Sequence, residues 1–510
     1  MGLWSFYFFA KLFLFIQGVV KFDILYNFGL AIFLILPVPE KIRFRRVIFA
    51  LKIITGVLLA VSIFWHDTWL PSPLDAAKEL KSQGIPSKEY IYSFLIRYYD
   101  QQTFINLGII FSACWVANKF LKLTTFVMIM FVALIPITIH AQPNEEEISM
   151  NTEAFLDSET SRVVRFKAPK GGKLDFDLLY LHVCSLSWDD MKDAGIENDQ
   201  FFVQFNFLFK NFNTATTYSG PALVRFLRSN CGQTSHSMIY KDQPAECYLF
   251  PALDWVGFSV FPVLNHDGNY GGFAKQIKQN GIPRAPMELD QSALYLNMFD
   301  NSPVYDDYMT LSKWWKMRLA SDKQYAALYY NTVSLHEGSH KVGDKEWWKR
   351  DRKWLYKEFL AKLIVDLSKF IKDLEASGRN VVVVFVPEHG MALRGSAIQT
   401  AGLRDIPLPD ITNVPVGIKF IGPKFNNAPR KQKVVTKPVS YLGLSHVVAK
   451  LVEKSPFQTD DYTYNSFIDT IPQTDFMAEN EGGSVIKVGK KYYHSGKDKK
   501  WVELPINEIQ

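Results

Sequence analysis

Apolar residues crowd the first 140 positions. Beyond them they break into short segments that alternate with polar ones. Five stretches, roughly Leu3–Val20, Ile24–Val38, Val47–Trp65, Phe104–Ala117 and Leu123–Ile139, are long enough to span or nearly span a bilayer; the fourth is the shortest. Four apolar stretches follow the first, and no small-residue cleavage site ends it, so it reads as an anchor rather than a signal peptide. The loop "PEKIRFRR" (39–46) carries four basic residues and "NKFLK" (118–122) carries two. Cytoplasmic loops are enriched in Lys and Arg, so both loops and the N-terminus are expected inside. Residues 66–103 then form an external loop, with the amphipathic segment "SKEYIYSFLIRYY" (87–99) lying on the membrane. Everything after about His140 is expected outside.

The rest of the chain alternates strand and helix patterns. Segment 141–162 is polar and reads as a linker leaving the membrane. "LDFDLLYLHVC" (174–184) and "YAALYYNTVSLH" (325–336) are strand-like, while "GPALVRFLRSN" (220–230) has helical spacing. A long amphipathic helix lies within 346–378, with Gly378 as its stop. The run Val381–Pro387, with five valines, follows at once. A basic loop (422–435), a further helix near 441–454 and a tail hairpin with a basic turn (484–504) complete the pattern. A helix followed by a continuous apolar strand predicts an α/β domain whose largely parallel central sheet is buried on both faces. The expected division is a membrane domain of about five helical spans (1–140), a linker (141–165) and a catalytic α/β domain (166–510).

Composition changes this picture little. The chain has 510 residues, 48% of them hydrophobic, and a formal charge of +6. No basic stripe with interleaved aromatics occurs, so nucleic acid is not an expected partner. Of the four cysteines, Cys114 falls in the fourth apolar stretch and reads as a small buried residue. Cys231 and Cys247, 16 apart in polar sequence on the oxidising side, are compatible with a disulfide. Cys184 is the odd thiol. Lys11 and Asp23, near or within the apolar stretches, are candidates for contacts between helices or with a partner.

Chemistry-bearing residues gather where strands end, which is where open α/β sheets bind ligands. One strand runs into Cys184 and another into Glu388 and His389. Thiolate, carboxylate and imidazole are the ligand types zinc prefers. Each residue alone also reads as a buried thiol or a turn residue; their joint placement favours metal. Ser219 precedes Gly220 and Pro221 and is well placed to cap a helix. A helix start is also an anion site, and a serine beside zinc can attack phosphorus. Thr214, Thr216, Thr217 and Tyr218 form a run of hydroxyls before it. In "VSLHEGSHKVG" (333–343), Gly338 argues for a loop that presents His336 and His340 for proton transfer or phosphoryl binding. Arg394 and Arg404 follow the Glu–His pair, and either can neutralise a phosphate.

Taken together, an early metal ligand, a hydroxyl at a helix start, "HEGSH" (336–340) and "PEHG" (387–390) resemble the alkaline phosphatase superfamily. Membrane spans before such a domain resemble its phosphoethanolamine transferase branch. Lipid A-directed members carry a glutamate first ligand, a threonine nucleophile, an aspartate–histidine pair and several disulfides; this chain departs on each count. "VCSLSWDD", "TYSGPALVRFLRSNCGQTSH", "SLHEG" and "PEHGMALRG…GLRDIPLP" are similar to the cellulose phosphoethanolamine transferases, the BcsG family, over nearly the whole chain. The resemblance implies zinc held by Cys184, Glu388 and His389, with Ser219 as fourth ligand and nucleophile. It implies supporting roles for Tyr218, His336 (rather than His340) and Arg404, and a Cys231–Cys247 disulfide. It also implies phosphatidylethanolamine as donor, the glucose 6-hydroxyl of cellulose as acceptor, and a multi-pass protein of the bacterial inner membrane. The catalytic domain would then lie in the periplasm, in contact with cellulose synthase or secretion subunits.

Other readings are a transferase to a different acceptor, a phosphodiesterase or sulfatase of the same superfamily, or a scaffold in a polysaccharide-secretion complex. Ser219-Gly220-Pro221-Ala222 matches the start of a sulfatase signature, but Leu223 stands where that signature needs arginine. In the tail, Tyr492, Tyr493 and Trp501 either touch glycan or pack as a cap.

Overall fold

The computed structural model describes residues 2, 4–39, 44–70, 73, 87–96, 101–140, 144–396, 398–426, 432–458, 464–496 and 499–506. Residues 40–43 of the basic loop 39–46, residues 71, 72, 74–86 and 97–100 of the external loop, and 427–431 of the basic loop 422–435 lie outside the described residues.

Among the described residues, six helices lie between Trp4 and His140: α1 (Trp4–Ile16), α2 (Ile24–Ile35), α3 (Arg45–Asp67), α4 (Lys88–Ile96), α5 (Gln101–Ala117) and α6 (Leu123–His140). All but α4 coincide with the five apolar stretches. Among the described residues, only α3, with 23 residues, is long and apolar enough to cross a membrane unaided. Of the five stretches expected to span or nearly span a bilayer, all five are apolar helices and one is a clear span. The physical reason is early termination: α1 turns at Gly18, and α2 stops ahead of Pro37 and Pro39. Val57, Leu58 and Val61 of α3 stand exposed, as a lipid-facing surface requires.

Lys11 is a contact between helices. Its Nζ lies 2.8 Å from Asp67 of α3 and 2.9 Å from Asn27 of α2, and all three residues are buried. Asp23 caps α2, accepting from the Tyr26 N–H at 3.0 Å, and its own N–H donates to Asp67 Oδ2 of α3 at 3.2 Å. The amphipathic segment touches the α/β domain. Its helical part, α4, sets Tyr90 against Phe299 and Tyr92 against Trp348 of the α/β domain, with ring centroids 5.4 and 5.3 Å apart. Ile91, Tyr92 and Ile96 of the same helix stay exposed.

The segment read as a linker is largely helix α7 (Glu145–Thr160), capped by Asn144 and bearing three glutamates in its first turn. Acidic side chains there complement the helix dipole. Ile148, Phe155 and Leu156 form one apolar face that packs on Met477, Ile486 and Trp501.

The α/β domain is built from β1 (Asp177–Val183), α8 (Trp188–Ala194), β2 (Phe207–Phe209), α9 (Ser219–Leu227), β3 (Ser259–Leu264), β4 (Ala326–Thr332), α10 (Arg352–Ala376), β5 (Val381–Pro387), β6 (Val416–Ile421), β7 (Lys433–Val435) and α11 (Tyr441–Glu453), with further helices and short strands between. The seven strands lie in the order β7-β2-β6-β5-β1-β4-β3. All pairs are parallel except the two that involve β6. The sheet is thus largely parallel, as expected, and mixed through β6 alone. Between β5 and β6 the described residues form one short helix, Pro409–Thr412, and no helical crossover, so β6 returns antiparallel.

Both faces of this sheet are covered. Val382, Val384 and Val386 of β5 meet a core that includes α9 and α11; Val381, Val383 and Phe385 meet α10 through Phe359, Leu363, Leu367 and Phe370. Burial on both sides is why the valine run has no polar alternation.

The C-terminal tail is more than a hairpin. Strands β8 (Met477–Asn480), β9 (Gly483–Val488), β10 (Lys491–Gly496) and β11 (Trp501–Glu503) form an antiparallel sheet in that order. Tyr492 and Trp501 are buried in it, so the glycan-contact reading gives way to a packed cap. Its inner face reaches the site described next. Cys231 and Cys247 are joined in a disulfide, and Cys114 is buried.

Candidate active site

Strand register brings the candidate ligands together. Val183 of β1 pairs with Pro387 of β5 on one side and Thr332 of β4 on the other. The next residues, Cys184 and Glu388, therefore leave the sheet side by side. The Glu388 N–H donates to Val183 O at 2.8 Å, and the Cys184 N–H to Thr332 O at 2.9 Å. His389 follows, its carbonyl accepting from the Leu186 N–H at 2.7 Å. One potential ligand atom from each of Cys184, Glu388 and His389 lies within 4.8 Å of the others, and all three residues are buried.

Ser219 completes the cluster. Its Oγ lies 3.1 Å from His389 Nε2 and 3.4 Å from Cys184 Sγ. Ser219 does not cap the helix. It is the first residue of α9, and Tyr218 occupies the cap position without a capping side-chain bond. The hydroxyl is thereby turned to the cluster.

The donor set tests well against a zinc-type ion. Glu388 Oε2 is buried with no hydrogen-bond partner, and it sits 3.8 Å from His389 Nε2. His389 Nδ1 lies 2.9 Å from Gly390 O; an N–H placed there leaves Nε2 as the free donor atom. Burial pushes the Cys184 thiol up to about 12, with Glu388 adding to the shift. Burial likewise pushes Glu388 up to about 7 and holds His389 well below the ordinary imidazole value. A bound dication reverses the first two shifts, because it stabilises thiolate and carboxylate directly.

A polar layer behind the ligands orients them. Asn331 of β4 donates from Nδ2 to Glu388 Oε1 at 2.6 Å, and His182 of β1 places Nδ1 3.5 Å from the same oxygen. Asp190 of α8 accepts from the Met391 and Leu393 N–H groups at 2.6 and 2.9 Å and shapes the loop that follows His389. Arg352 clamps Glu337 with Nε and Nη2 while Nη1 donates to Leu393 O at 2.6 Å, tying the His336 loop to the His389 loop.

The other expected residues separate into two groups. Arg404 faces the cluster: its Nη1 is 3.2 Å from His389 Nδ1, and its guanidinium lies 5.6 Å from the Tyr218 ring centroid. The Tyr218 hydroxyl donates to Asp405 Oδ1 at 3.0 Å. His336 is half-buried and stacked on Phe299, and desolvation with the nearby Arg404 charge lowers it to about 4. His340 points elsewhere, stacked on Trp347 at 4.7 Å. Arg394 is also diverted, bonded to Asp189 at 2.6 and 2.9 Å.

Asn331, His182, Asp190, Glu337, Arg352, Asp405 and Asn480 were not singled out from the sequence. For two of them a signal was present: His182 and Asn331 are polar residues inside otherwise apolar strands, next to the ends that carry the chemistry.

Comparison with known proteins agrees over the whole length. The chain is 32% identical to the cellulose biosynthesis protein BcsG of Escherichia coli (strain K12) and 33% identical to that of Salmonella typhimurium; each match covers 98% of this chain and 96% of the relative. Similar solved structures include lipoteichoic acid synthase LtaP from Listeria monocytogenes (13% identity, 66% of this chain and 88% of that one, TM-score 0.45). Another is the C-terminal periplasmic domain of EcEptC from Escherichia coli (15% identity, 62% and 93%, TM-score 0.42). Models of the BcsG N-terminal and C-terminal domains match residues 4–136 and 136–501. From the first apolar helix to the C-terminal sheet, the chain therefore belongs to the BcsG family of cellulose biosynthesis proteins.

Proposed function

We propose that the protein transfers phosphoethanolamine from phosphatidylethanolamine to the glucose 6-hydroxyl of cellulose, through a phosphoethanolamine ester of Ser219. The enzyme class is phosphoethanolamine transfer, in an alkaline-phosphatase-like α/β domain. The observation that carries the reading is Ser219 Oγ, 3.1 Å from His389 Nε2 and 3.4 Å from Cys184 Sγ, at the start of a helix.

Cys184, Glu388 and His389, with Ser219, would hold zinc. Bound zinc supplies Lewis-acid stabilisation of the serine alkoxide. The Ser219 oxygen attacks the head-group phosphorus, and the bond to the diacylglycerol oxygen breaks. The diacylglycerol leaves with a proton that His336, neutral at physiological pH, can relay. Arg404 offsets charge on the phosphoryl oxygens. In the second half, the sugar hydroxyl attacks phosphorus, the bond to Ser219 breaks, and the proton returns to Ser219. Tyr218 borders the nucleophile and shapes the approach to it.

The family's place in cellulose biosynthesis supports this acceptor. The apolar helices support an inner-membrane protein with the catalytic domain (166–510) in the periplasm, where the lipid donor is at hand. Cellulose synthase or secretion subunits are the partners this placement favours.

The test is intact mass spectrometry of the full chain in detergent with phosphatidylethanolamine, with and without chelator, beside Ser219→Ala. A chelator-sensitive gain of one phosphoethanolamine, absent in the variant, is expected. Turnover of a phosphodiester to free product without an adduct would sink the covalent transfer and favour a phosphodiesterase. No adduct, no turnover and no zinc would leave a scaffold.

A further inference from the structure

Two opposite charges flank Tyr218 without neutralising one another. Arg404 and Asp405 are consecutive, yet no carboxylate reaches ion-pair distance of Arg404 among the described residues, and no cation reaches Asp405. Arg404 turns to His389 and the Tyr218 ring. Asp405 turns the other way. Its Oδ1 accepts the Tyr218 hydroxyl, and no other residue's donor engages the second oxygen among the described residues. Asp405 is half-buried, and burial raises its carboxyl above the ordinary value despite the Tyr218 bond and the nearby Arg404 charge. A half-buried acid without a counter-charge is costly unless a ligand supplies one.

The pair is also held in place. Asn480 of β8 donates from Nδ2 to the carbonyls of Arg404 and Asp405, at 2.9 and 3.0 Å, and to Thr217 Oγ1 at 2.6 Å. Thr217, which precedes Tyr218 and Ser219, and the dipeptide Arg404-Asp405 are thus braced by one buried amide. The resulting order of groups is nucleophile, cation, tyrosine, anion.

That order matches a zwitterion whose phosphate and ammonium are separated by a short linker. We infer that Asp405 is the ammonium-binding carboxylate of a head-group subsite, so that Arg404 and the metal cluster take the phosphate while Asp405, with Tyr218, selects a primary ammonium at the far end. This inference rests on the phosphoethanolamine reading above and adds how that head group is told from a neutral or anionic one.

The experiment compares two para-nitrophenyl phosphodiesters on the full-length zinc-loaded protein. One carries an aminoethyl group and the other a propyl group of the same length. Nitrophenolate release and the mass of the Ser219 adduct are read for wild type, Asp405→Asn and Asp405→Glu, with zinc content and thermal midpoint measured in parallel. Wild type is expected to prefer the aminoethyl ester, Asp405→Asn to lose that preference by about tenfold or more, and Asp405→Glu to keep most of it. An unchanged preference in Asp405→Asn overturns the inference. So does an equal fall for both esters, which would make Asp405 an anchor for Tyr218 only. Equal rates with both esters in wild type would overturn the subsite and leave the transfer reading standing. No adduct from either ester in wild type would bring down the transfer reading itself, and the subsite with it.

Discussion

Asn480 Nδ2 lies 2.6 Å from Thr217 Oγ1, although 263 residues separate them. The same amide oxygen accepts from Thr216 Oγ1 at 2.9 Å and from the Thr217 N–H at 3.2 Å. One side chain of the C-terminal sheet thus braces the segment that presents Ser219. Asn480→Ala leaves several buried polar groups without partners, each costing about 1–3 kcal/mol. The expected result is a lower thermal midpoint and a slower Ser219 adduct, with zinc content retained because Asn480 touches no ligand. Asn480→Asp keeps the accepting oxygen and loses the donors, so it should slow adduct formation while disturbing the Thr216 side least. Loss of zinc in parallel with rate would argue against a bracing role.

What the sequence reveals depends on how local the cause is. A strand buried on both faces needs apolar residues at every position, so Val381–Pro387 and the chemistry at its carboxyl end are legible without a structure. The adjacency of Cys184 and Glu388 depends on the pairing of Val183 with Pro387, and register leaves no mark on either segment. Asn480 is less visible still, because it is an ordinary polar residue at the end of a short strand. Helix α7 was missed for a different reason. Its acidic surface hides an apolar face of Ile148, Phe155 and Leu156, spaced by seven and eight positions. The aromatics of the tail left two readings open, and Tyr492 and Trp501 take the packed one because they serve the interior of a sheet whose partner strand β8 was not foreseen.

Gly390 has no room for a side chain. A Cβ there would lie 2.6 Å from Ser187 Oγ and 2.7 Å from Asp190 Oδ2. Its carbonyl also sits 2.9 Å from His389 Nδ1 and so fixes the imidazole. Gly390→Ala must shift this peptide or the capping box of α8. The expected outcome is zinc affinity lower by about 10–100-fold, the range found when an outer partner of a metal-binding histidine is lost. Competition titration against a chromogenic chelator measures it. Wild-type affinity in Gly390→Ala would show that the Gly390 carbonyl does not orient His389.

His336 is lowered to about 4 by burial and by the Arg404 charge, from an ordinary value of 6.5. The lowered value means that the imidazole is neutral on both sides of 6.5 and gains a proton only as pH falls through about 4. A nearby dication lowers it further. The rate of Ser219 adduct formation should therefore show no inflection near 6.5 due to His336. His336→Gln should lower the rate by about 10²-fold or more across that range, the usual contribution of a proton-transferring group. An inflection near 6.5 that disappears in His336→Gln would contradict the assignment.

Lys11 and Asp67 join α1 to α3 at 2.8 Å, with 1% and 0% of their side chains exposed. Asn27 of α2 bonds to both, at 2.9 and 2.7 Å, so three helices meet at one buried charge pair. Removing one charge strands the other in a place that water does not reach, at a cost of about 3–5 kcal/mol. Replacing both with apolar residues of similar size removes the desolvation penalty along with the attraction. Lys11→Met and Asp67→Leu are each expected to lower the thermal midpoint in detergent markedly, and the double variant to recover much of the loss. The Ser219 adduct formed by a soluble phosphodiester should persist in the double variant, because neither residue approaches the zinc cluster. Additive losses in the double variant would show that the two charges do not act as a pair.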